Sequence, residues 1–130
     1  MTAGIAQPPS HGDQRRSLGA FGEKAVADWY RRLGATVLDR NWRVDAGEID
    51  LVVLDRRGVA FVEVKTRRSV RFGSPVEAIT AAKAARLRRL AGLWLAAHPD
   101  RGRLPIRIDI AGVVVDAGGR AQIEIIPLDS

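Results

Sequence analysis

The sequence contains no cysteine and only two histidines, His11 and His98. The lack of cysteine excludes a disulfide scaffold, an iron–sulfur cluster, a zinc site with thiolate ligands and any thiol nucleophile. Two histidines so far apart in the chain do not supply a histidine-rich zinc site, and a Ser-His-Asp triad would have to depend on one of them. These absences exclude most thiol and imidazole chemistry.

Long apolar runs are also missing. No stretch approaches the ~20 consecutive apolar residues that a transmembrane helix requires, and the N-terminal segment around Pro8 and Pro9 has no apolar signal-peptide core. We therefore expect a cytoplasmic protein that makes no use of a membrane. A glycine-rich phosphate loop is absent as well, so nothing supports hydrolysis of nucleoside triphosphates.

Lysine is scarce, although the chain is basic. Of 21 basic residues only Lys24, Lys65 and Lys83 are lysines, and with 15 acidic residues the net charge is +6. The resulting pI near 10.9 lies above the value of roughly 9 at which nucleic acid becomes a candidate partner. The 130 residues, 46% of them hydrophobic, are the size and composition of one domain with a core of its own.

The first sixteen residues differ from the rest. They lack apolar periodicity, contain Pro8 and Pro9, and end in the basic pair Arg15-Arg16. This composition predicts a flexible basic leader over residues 1–16 and a single domain over residues 17–130.

Apolar periodicity and turn residues predict the elements of that domain. The long helix in the middle of the chain has two candidate starts, a capping box at Ser74 and a cap at Thr80. The predicted elements are a helix over Ser17–Leu33, strands over Thr36–Val44, Gly47–Leu54 and Gly58–Thr66, a helix from Ser74 or Thr80 to Ala97, and strands over Ile106–Val115 and Gln122–Ile126. This order, α-β-β-β-α-β-β, predicts an α/β fold with a mixed central β-sheet flanked by α-helices.

Three charged residues stand inside apolar strands: Asp50, Glu63 and Lys65. If the turn between the second and third strands holds two residues or four, Asp50 lies opposite Glu63, with Cβ atoms ~4.5–5.5 Å apart. Lys65, two residues further on, then shares the face of Glu63. A three-residue turn would shift the register by one and place Glu63 on the face opposite to Asp50.

Two facing carboxylates destabilise a sheet unless a cation or a proton lies between them. Oxygen ligands favour Mg²⁺ or Mn²⁺ over zinc, and such an ion would leave Lys65 free to face a phosphate. The pattern therefore indicates metal-assisted hydrolysis of a phosphodiester. The ordinary alternative is a cross-strand ion pair between a carboxylate and Lys65 on a solvated face.

Two segments carry a family resemblance. Residues 47–51 (GEIDL) and 61–67 (FVEVKTR) together resemble the split PD-(D/E)xK signature of restriction-endonuclease-like nucleases. More narrowly, the chain from about Leu18 to Leu128 resembles the YraN-like family of predicted bacterial endonucleases, which are similar to archaeal Holliday-junction resolvases. The resemblance implies a restriction-endonuclease-like core, although Ile49 stands where the motif has proline and Ile108 where an aromatic residue is expected.

The resemblance also implies roles for individual residues. Asp50 and Glu63 become metal ligands, with the backbone carbonyl of Val64 as a third, and Lys65 becomes the catalytic lysine. Glu23 matches the acid on the first helix that completes the metal site in resolvase-like members of the superfamily.

The resemblance gives Glu48 no role. Glu48 lies two residues before Asp50 and therefore shares its face of the strand, so it is a secondary acid or substitute ligand. The ordinary interpretation of an acid such as Glu23 on an amphipathic helix is that it faces solvent.

A basic surface is predicted beside these acids. Lys83, Arg86 and Arg89 lie three residues apart on the second helix, and Arg67, Arg68 and Arg71 precede it. These six residues would flank the carboxylates and hold phosphates with little sequence specificity and strong salt dependence. A merely solvated helix face is the alternative.

The sequence therefore predicts a Mg²⁺- or Mn²⁺-dependent endonuclease that acts on DNA, with branched or otherwise structured DNA among its candidate substrates. One alternative is a non-catalytic nucleic-acid-binding module with the same fold, and another is a small protein whose basic face binds an acidic partner. A junction resolvase cuts two symmetric strands and would be a homodimer, whereas a monomer favours a simpler nicking or flap activity.

Overall fold

The computed structural model describes residues 11–69, 71, 73–101 and 103–128 of the chain. Its elements follow the predicted order, with two added 3-10 turns: α1 His11–Arg32, β1 Thr36–Val44, β2 Gly47–Asp55, β3 Gly58–Arg67, a turn at Pro75–Ala78, α2 Ala81–Ala97, a turn at Pro99–Arg101, β4 Ile106–Val115 and β5 Ala121–Pro127. The predicted α/β class is confirmed. No helix in the described part of the chain is long and apolar enough to cross a membrane.

The five strands form one mixed sheet in the order β1-β2-β3-β4-β5. Neighbouring strands are antiparallel except β3 and β4, which are parallel. A parallel pair requires a crossover connection, and α2 supplies it. The predicted mixed sheet is therefore confirmed.

The two helices pack on opposite faces of the sheet. Val26 and Tyr30 of α1 belong to one buried apolar layer, while Leu90 and Trp94 of α2 belong to the other. The central strands β2 and β3 contribute to both layers, which explains why their sequences are apolar at consecutive positions. A charged side chain in these strands is therefore taken out of water unless it lies near a strand end.

Both helices begin at a residue other than the first one predicted from the sequence. Helix α1 starts at His11 rather than at the predicted Ser17, so residues 11–16 of the predicted leader are helical. Residues 1–10 of that leader lie outside the described part. The added segment is largely polar and has no apolar period to reveal it. Helix α2 begins after Thr80, whose Oγ1 accepts the Lys83 N–H at 3.1 Å, which confirms the second of the two candidate starts.

The β2–β3 hairpin has the predicted register. Its pairs run from Asp55 opposite Gly58 to Leu51 opposite Val62, around a two-residue turn. Gly58 has a φ of 119°, and a Cβ there would collide with the Pro105 carbonyl oxygen, so the turn requires glycine. The ladder thus leads toward Asp50 and Glu63 as expected.

A polar network anchors the turn end of the hairpin. Arg107 on β4 donates to both carboxylate oxygens of Asp55, at 2.6 and 3.1 Å, and to Asp109 at 3.2 Å. The buried Asp109 also accepts the Tyr30 hydroxyl of α1 at 2.8 Å. The Arg107 guanidinium holds the pKa of the Asp55 carboxyl below its usual value. This network lies at the end of β3 away from Lys65, so we assign it to stability.

Candidate metal centre

The β2–β3 ladder stops one residue before the predicted acid pair. Leu51 opposite Val62 is its last pair, and the Asp50 carboxylate beyond it accepts the backbone N–H of Val64 at 2.8 Å. Ile49 packs in the layer beneath α2 and Leu51 in the layer beneath α1, whereas a regular strand would place them on one face. The strand is therefore irregular at Asp50, which directs this carboxylate toward α1.

Three carboxylates meet at this irregularity. One oxygen each of Glu23, Glu48 and Asp50 lies within 4.8 Å of the other two. Glu23 comes from α1, and the other two come from β2. Glu48, a secondary candidate from the sequence, is thus a full member of the cluster.

Asn41 joins two of these acids. Its side-chain Nδ2 donates to Glu23 Oε2 at 2.9 Å and to Glu48 Oε1 at 2.8 Å. Asn41 has a φ of 50°, in the left-handed region that asparagine tolerates better than most residues. Arg43 contacts the second Glu48 oxygen, with Nε 3.1 Å from Oε2. The two acids are therefore held in place by β1 before any cation binds.

The surroundings of Asp50 shift the pKa of its carboxyl group. Burial, and then the negative charge of Glu63, raise the pKa of the Asp50 carboxyl to about 7, with smaller contributions from Glu23 and Glu48. The hydrogen bond from the Val64 N–H acts in the opposite direction. A cation at the cluster would offset both the burial and the like charges.

Glu63 is buried, with 9% of its surface exposed, and it contacts two lysines. Lys65 Nζ and Lys83 Nζ each lie 3.4 Å from Glu63 Oε1. Lys83 reaches Glu63 from the first turn of α2, whose start is fixed by Thr80. Burial, and then the neighbouring Lys65, lower the pKa of the Lys83 ammonium, although the Glu63 carboxylate acts in the opposite direction.

The predicted site residues therefore fall into two adjoining groups. Asp50 and Glu23 lie in the acidic cluster, while Glu63 and Lys65 form an ion pair beside it and do not join the three-carboxylate group. The charge of Glu63 nevertheless acts on Asp50. The described contact of Val64 is made by its amide, and a ligand role for its carbonyl stays a prediction.

No pattern in the sequence assigns a role to Asn41. The available signal was an asparagine in the middle of a strand, a position that this residue seldom occupies unless the backbone turns locally. The bridge that it makes depends on α1 and β2 approaching the same point, which no local pattern reveals.

The predicted basic residues are distributed over several elements around the site. Lys83 belongs to the site itself, with 20% of its side chain exposed. Arg67 and Arg68 line a cleft with residues of α1, whereas Arg86 and Arg89 are exposed on α2, which packs on the other face of the sheet. Arg71 lies in the connection between β3 and α2.

These features define a class of molecule: a small α/β protein with an acidic cluster and a lysine pair where two central strands part. A match to a family model identifies the family. The chain belongs to the uncharacterised protein family UPF0102, whose model matches residues 22–113. This range contains all three acids of the cluster, Glu63 and both of its lysines.

Individual relatives match over most of their length. A UPF0102 protein of Clavibacter michiganensis subsp. michiganensis is 48% identical over 113 residues, which is 87% of this chain and 95% of the relative. Those of Beutenbergia cavernae and Frankia casuarinae are each 47% identical over 108 residues, covering 83% of this chain and 91% of the relative.

Proposed function

We propose that this protein is a Mg²⁺- or Mn²⁺-dependent endonuclease of the PD-(D/E)xK type that hydrolyses phosphodiester bonds in DNA. One observation carries the proposal. Carboxylate oxygens of Glu23, Glu48 and Asp50 lie within 4.8 Å of one another, next to a buried glutamate that is paired with two lysines. An acidic cluster beside ammonium groups is the arrangement that holds a metal ion and a phosphate together.

The residues present fit a hard divalent cation. The cluster offers only carboxylate oxygens, which suit Mg²⁺ and Mn²⁺. Glu23, Glu48 and Asp50 would hold the ion, and Glu63, whose charge acts on Asp50, is a further candidate ligand. When bound, the ion polarises a phosphoryl oxygen and lowers the pKa of a coordinated water. Asn41 and the Val64 amide keep the ligands in position.

The two lysines have separable tasks in this proposal. Lys65 stands near the end of β3 and borders an open cleft, so its ammonium can leave Glu63 and contact the scissile phosphate. There it would stabilise the negative charge that develops on the phosphoryl oxygens. Lys83 would remain on Glu63 and balance its buried charge.

DNA is the proposed substrate because the chain is strongly basic and arginines adjoin the site. Arg67 and Arg68 follow Lys65 after one intervening residue and are exposed. Contacts of arginine with phosphate position a nucleic acid without reading its sequence. The proposed enzyme therefore selects the structure of its DNA more than the base sequence.

A cleavage panel tests the proposal. The substrates are a labelled four-way junction, a flap, a nicked duplex, a single strand and an RNA, each with Mn²⁺ or with EDTA. We expect metal-dependent cleavage that falls at least about 100-fold in Asp50→Asn and in Lys65→Ala. Lys24→Ala is the matched control, because the Lys24 side chain is 71% exposed and its described ion pair is with Asp28 on the same helix.

Each outcome of the panel decides between the candidate functions. Cleavage that persists in Asp50→Asn would trace the activity to a contaminant and contradict the proposal. Binding without cleavage on every substrate would favour the non-catalytic nucleic-acid-binding module. Symmetric cleavage of the four-way junction would require a homodimer, which size-exclusion chromatography of the same preparation would detect.

A further inference from the structure

A second concave surface adjoins the proposed metal centre. It opens between the first turns of α1 and the C-terminal end of β3, with a volume of about 720 Å³. Gly19 borders both this cleft and the hollow that contains the acidic cluster. We call it the α1–β3 cleft, and its lining residues are Gln14, Arg15, Leu18, Gly19, Val64, Lys65, Thr66, Arg67 and Arg68.

The α1–β3 cleft is positively charged. Four of its lining residues are basic and none is acidic. Arg15 and Arg68 are exposed and form no ion pair with any residue that the structure describes. Two unpaired guanidinium groups at the rim of a concave surface suit the phosphates of a nucleic-acid backbone.

The inner wall of the α1–β3 cleft has a different chemistry. Leu18 and Val64 are half-buried members of the apolar layer beneath α1. Thr66 is 9% exposed, and among the described residues its hydroxyl oxygen has no hydrogen-bond partner. This hydroxyl lies against Gly22 of α1, so the inner wall offers a ligand the apolar surface of Leu18 and Val64.

We propose that the α1–β3 cleft binds one unpaired nucleotide of a nucleic-acid strand. Arg15 and Arg68 would hold its flanking phosphates, while the base packs against Leu18 and Val64. The inference rests on the proposed function for the place of this nucleotide next to the cleaved bond, but binding itself does not depend on cleavage.

The shape of the cleft favours an unpaired strand over a duplex. A volume of about 720 Å³ lies in the range of roughly 300–1,000 Å³ that is typical of small-ligand sites, which is room for a single base. A base inside a duplex stays in the stack and reaches such a pocket only after it is flipped out. A single strand, a flap or a frayed end presents the same base without that cost. The proposed substrate class is therefore DNA with an unpaired segment at the cut.

Fluorescence anisotropy in EDTA tests the proposal without any cleavage. The probes are a labelled short single strand and a blunt duplex of the same sequence, and the test variant is Arg15→Glu/Arg68→Glu. The control is Arg56→Glu/Arg103→Glu, which changes the charge by the same amount at exposed positions. Both control residues lie at the other end of β3, about 30 Å away along the strand at ~3.3 Å per residue.

We expect the test variant to raise the Kd for the single strand at least about tenfold and to affect the duplex no more than the control variant does. Equal weakening on both probes, or equal weakening by the control variant, would overturn the proposal. Circular dichroism of all variants verifies that each is folded.

Photo-crosslinking gives a second measurement. A single strand that carries a photoreactive thymine analogue should crosslink to the peptide that contains Leu18 or to the one that contains Val64. A crosslink confined to α2 would contradict the proposed site.

The two proposals can fail separately. A protein that binds the single strand through the α1–β3 cleft but never cuts supports the cleft and refutes the nuclease. A protein that cuts duplex and single strand equally, with equal sensitivity to Arg15→Glu/Arg68→Glu, supports the nuclease and refutes the cleft.

Discussion

The carboxylate of Asp50 accepts a hydrogen bond from the backbone N–H of Val64, 2.8 Å away, at the point where β2 and β3 cease to pair. A side chain here replaces a ladder partner, so the two strands separate without leaving this amide unpaired. The same bond fixes Asp50 beside Glu23 and Glu48. One contact therefore ends the hairpin and positions a central acid of the proposed metal centre.

Asp50→Asn should stabilise the metal-free protein. Asparagine can still accept the Val64 N–H through Oδ1, but it removes a charge that is partly buried beside other acids. We expect a gain of roughly 1 kcal/mol or more in the free energy of unfolding at neutral pH. Urea denaturation in EDTA measures this gain.

Added Mg²⁺ should raise the melting temperature of the wild type and leave that of Asp50→Asn nearly unchanged. Differential scanning fluorimetry with matched NaCl controls separates specific binding from ionic strength. An equal rise in both proteins would argue against a metal ion on Asp50.

Asn41→Gly should weaken metal binding without unfolding the protein. Glycine accepts the φ of 50° at this position but removes the amide that bridges Glu23 and Glu48. Loss of a group that orients ligands typically lowers metal affinity about 10–100-fold. Isothermal titration with Mn²⁺ measures this affinity.

Asn41→Ala is the companion variant. It removes the same amide but adds strain at positive φ, which costs roughly 1–2 kcal/mol of stability. Wild-type Mn²⁺ affinity in Asn41→Gly would show that Asn41 acts only on the backbone.

The two lysines that contact Glu63 should contribute non-additively to the stability of the protein. Lys65→Met or Lys83→Met leaves the buried carboxylate with one ammonium, since both contact the same oxygen. The double variant leaves it with none, so its loss of stability should exceed the sum of the single losses by roughly 1–2 kcal/mol. Glu63→Gln in the same double-mutant cycle should abolish this excess. Additive losses in the wild-type background would contradict the shared pairing.

The hairpin was predictable because its determinants are local. The turn that Gly58 closes and the apolar strands on either side set the register. That register predicts that Asp50 and Glu63 are neighbours. Glu48 was a secondary candidate because it lies two residues from Asp50 on the same strand.

The remaining parts of the site depend on contacts that are distant in sequence. Asn41 reaches Glu23 on α1, and Lys83 reaches Glu63 because α2 packs against the sheet at one particular angle. Neither contact leaves a periodic signal in its own segment. The separation of β2 from β3 at Asp50 is equally hidden, because it departs from the strand alternation on which sequence interpretation depends.

Stability should depend on acid pH through Asp55. The Arg107 guanidinium holds the pKa of this carboxyl below 3.8, so the folded protein binds a proton there less readily than the unfolded chain does. The stabilisation that the Asp55–Arg107 ion pair gives the folded protein is therefore fully present above about pH 4. It is lost as the pH falls through the lowered pKa.

Asp55→Asn tests this dependence. The variant should be less stable than the wild type at neutral pH, and the difference should shrink in strong acid. Urea denaturation across this pH range measures it, and Asp45→Asn, at an exposed position in the turn between β1 and β2, serves as the control. A difference that stays constant with pH would show that the ion pair with Arg107 adds nothing.

Gly22 should tolerate no side chain, because α1 lies directly over β3 at this point. A Cβ on Gly22 would collide with the hydroxyl of Thr66, whereas a Cβ on Gly19 would meet nothing within 4 Å. We expect Gly22→Ala to destabilise the protein by roughly 1–3 kcal/mol through overpacking. Gly19→Ala in the same helix should stabilise it by about 0.5–1 kcal/mol, since alanine favours helix. Thermal denaturation of the two variants measures these opposite effects, and a stabilised Gly22→Ala would mean that α1 lies further from Thr66 than the structure places it.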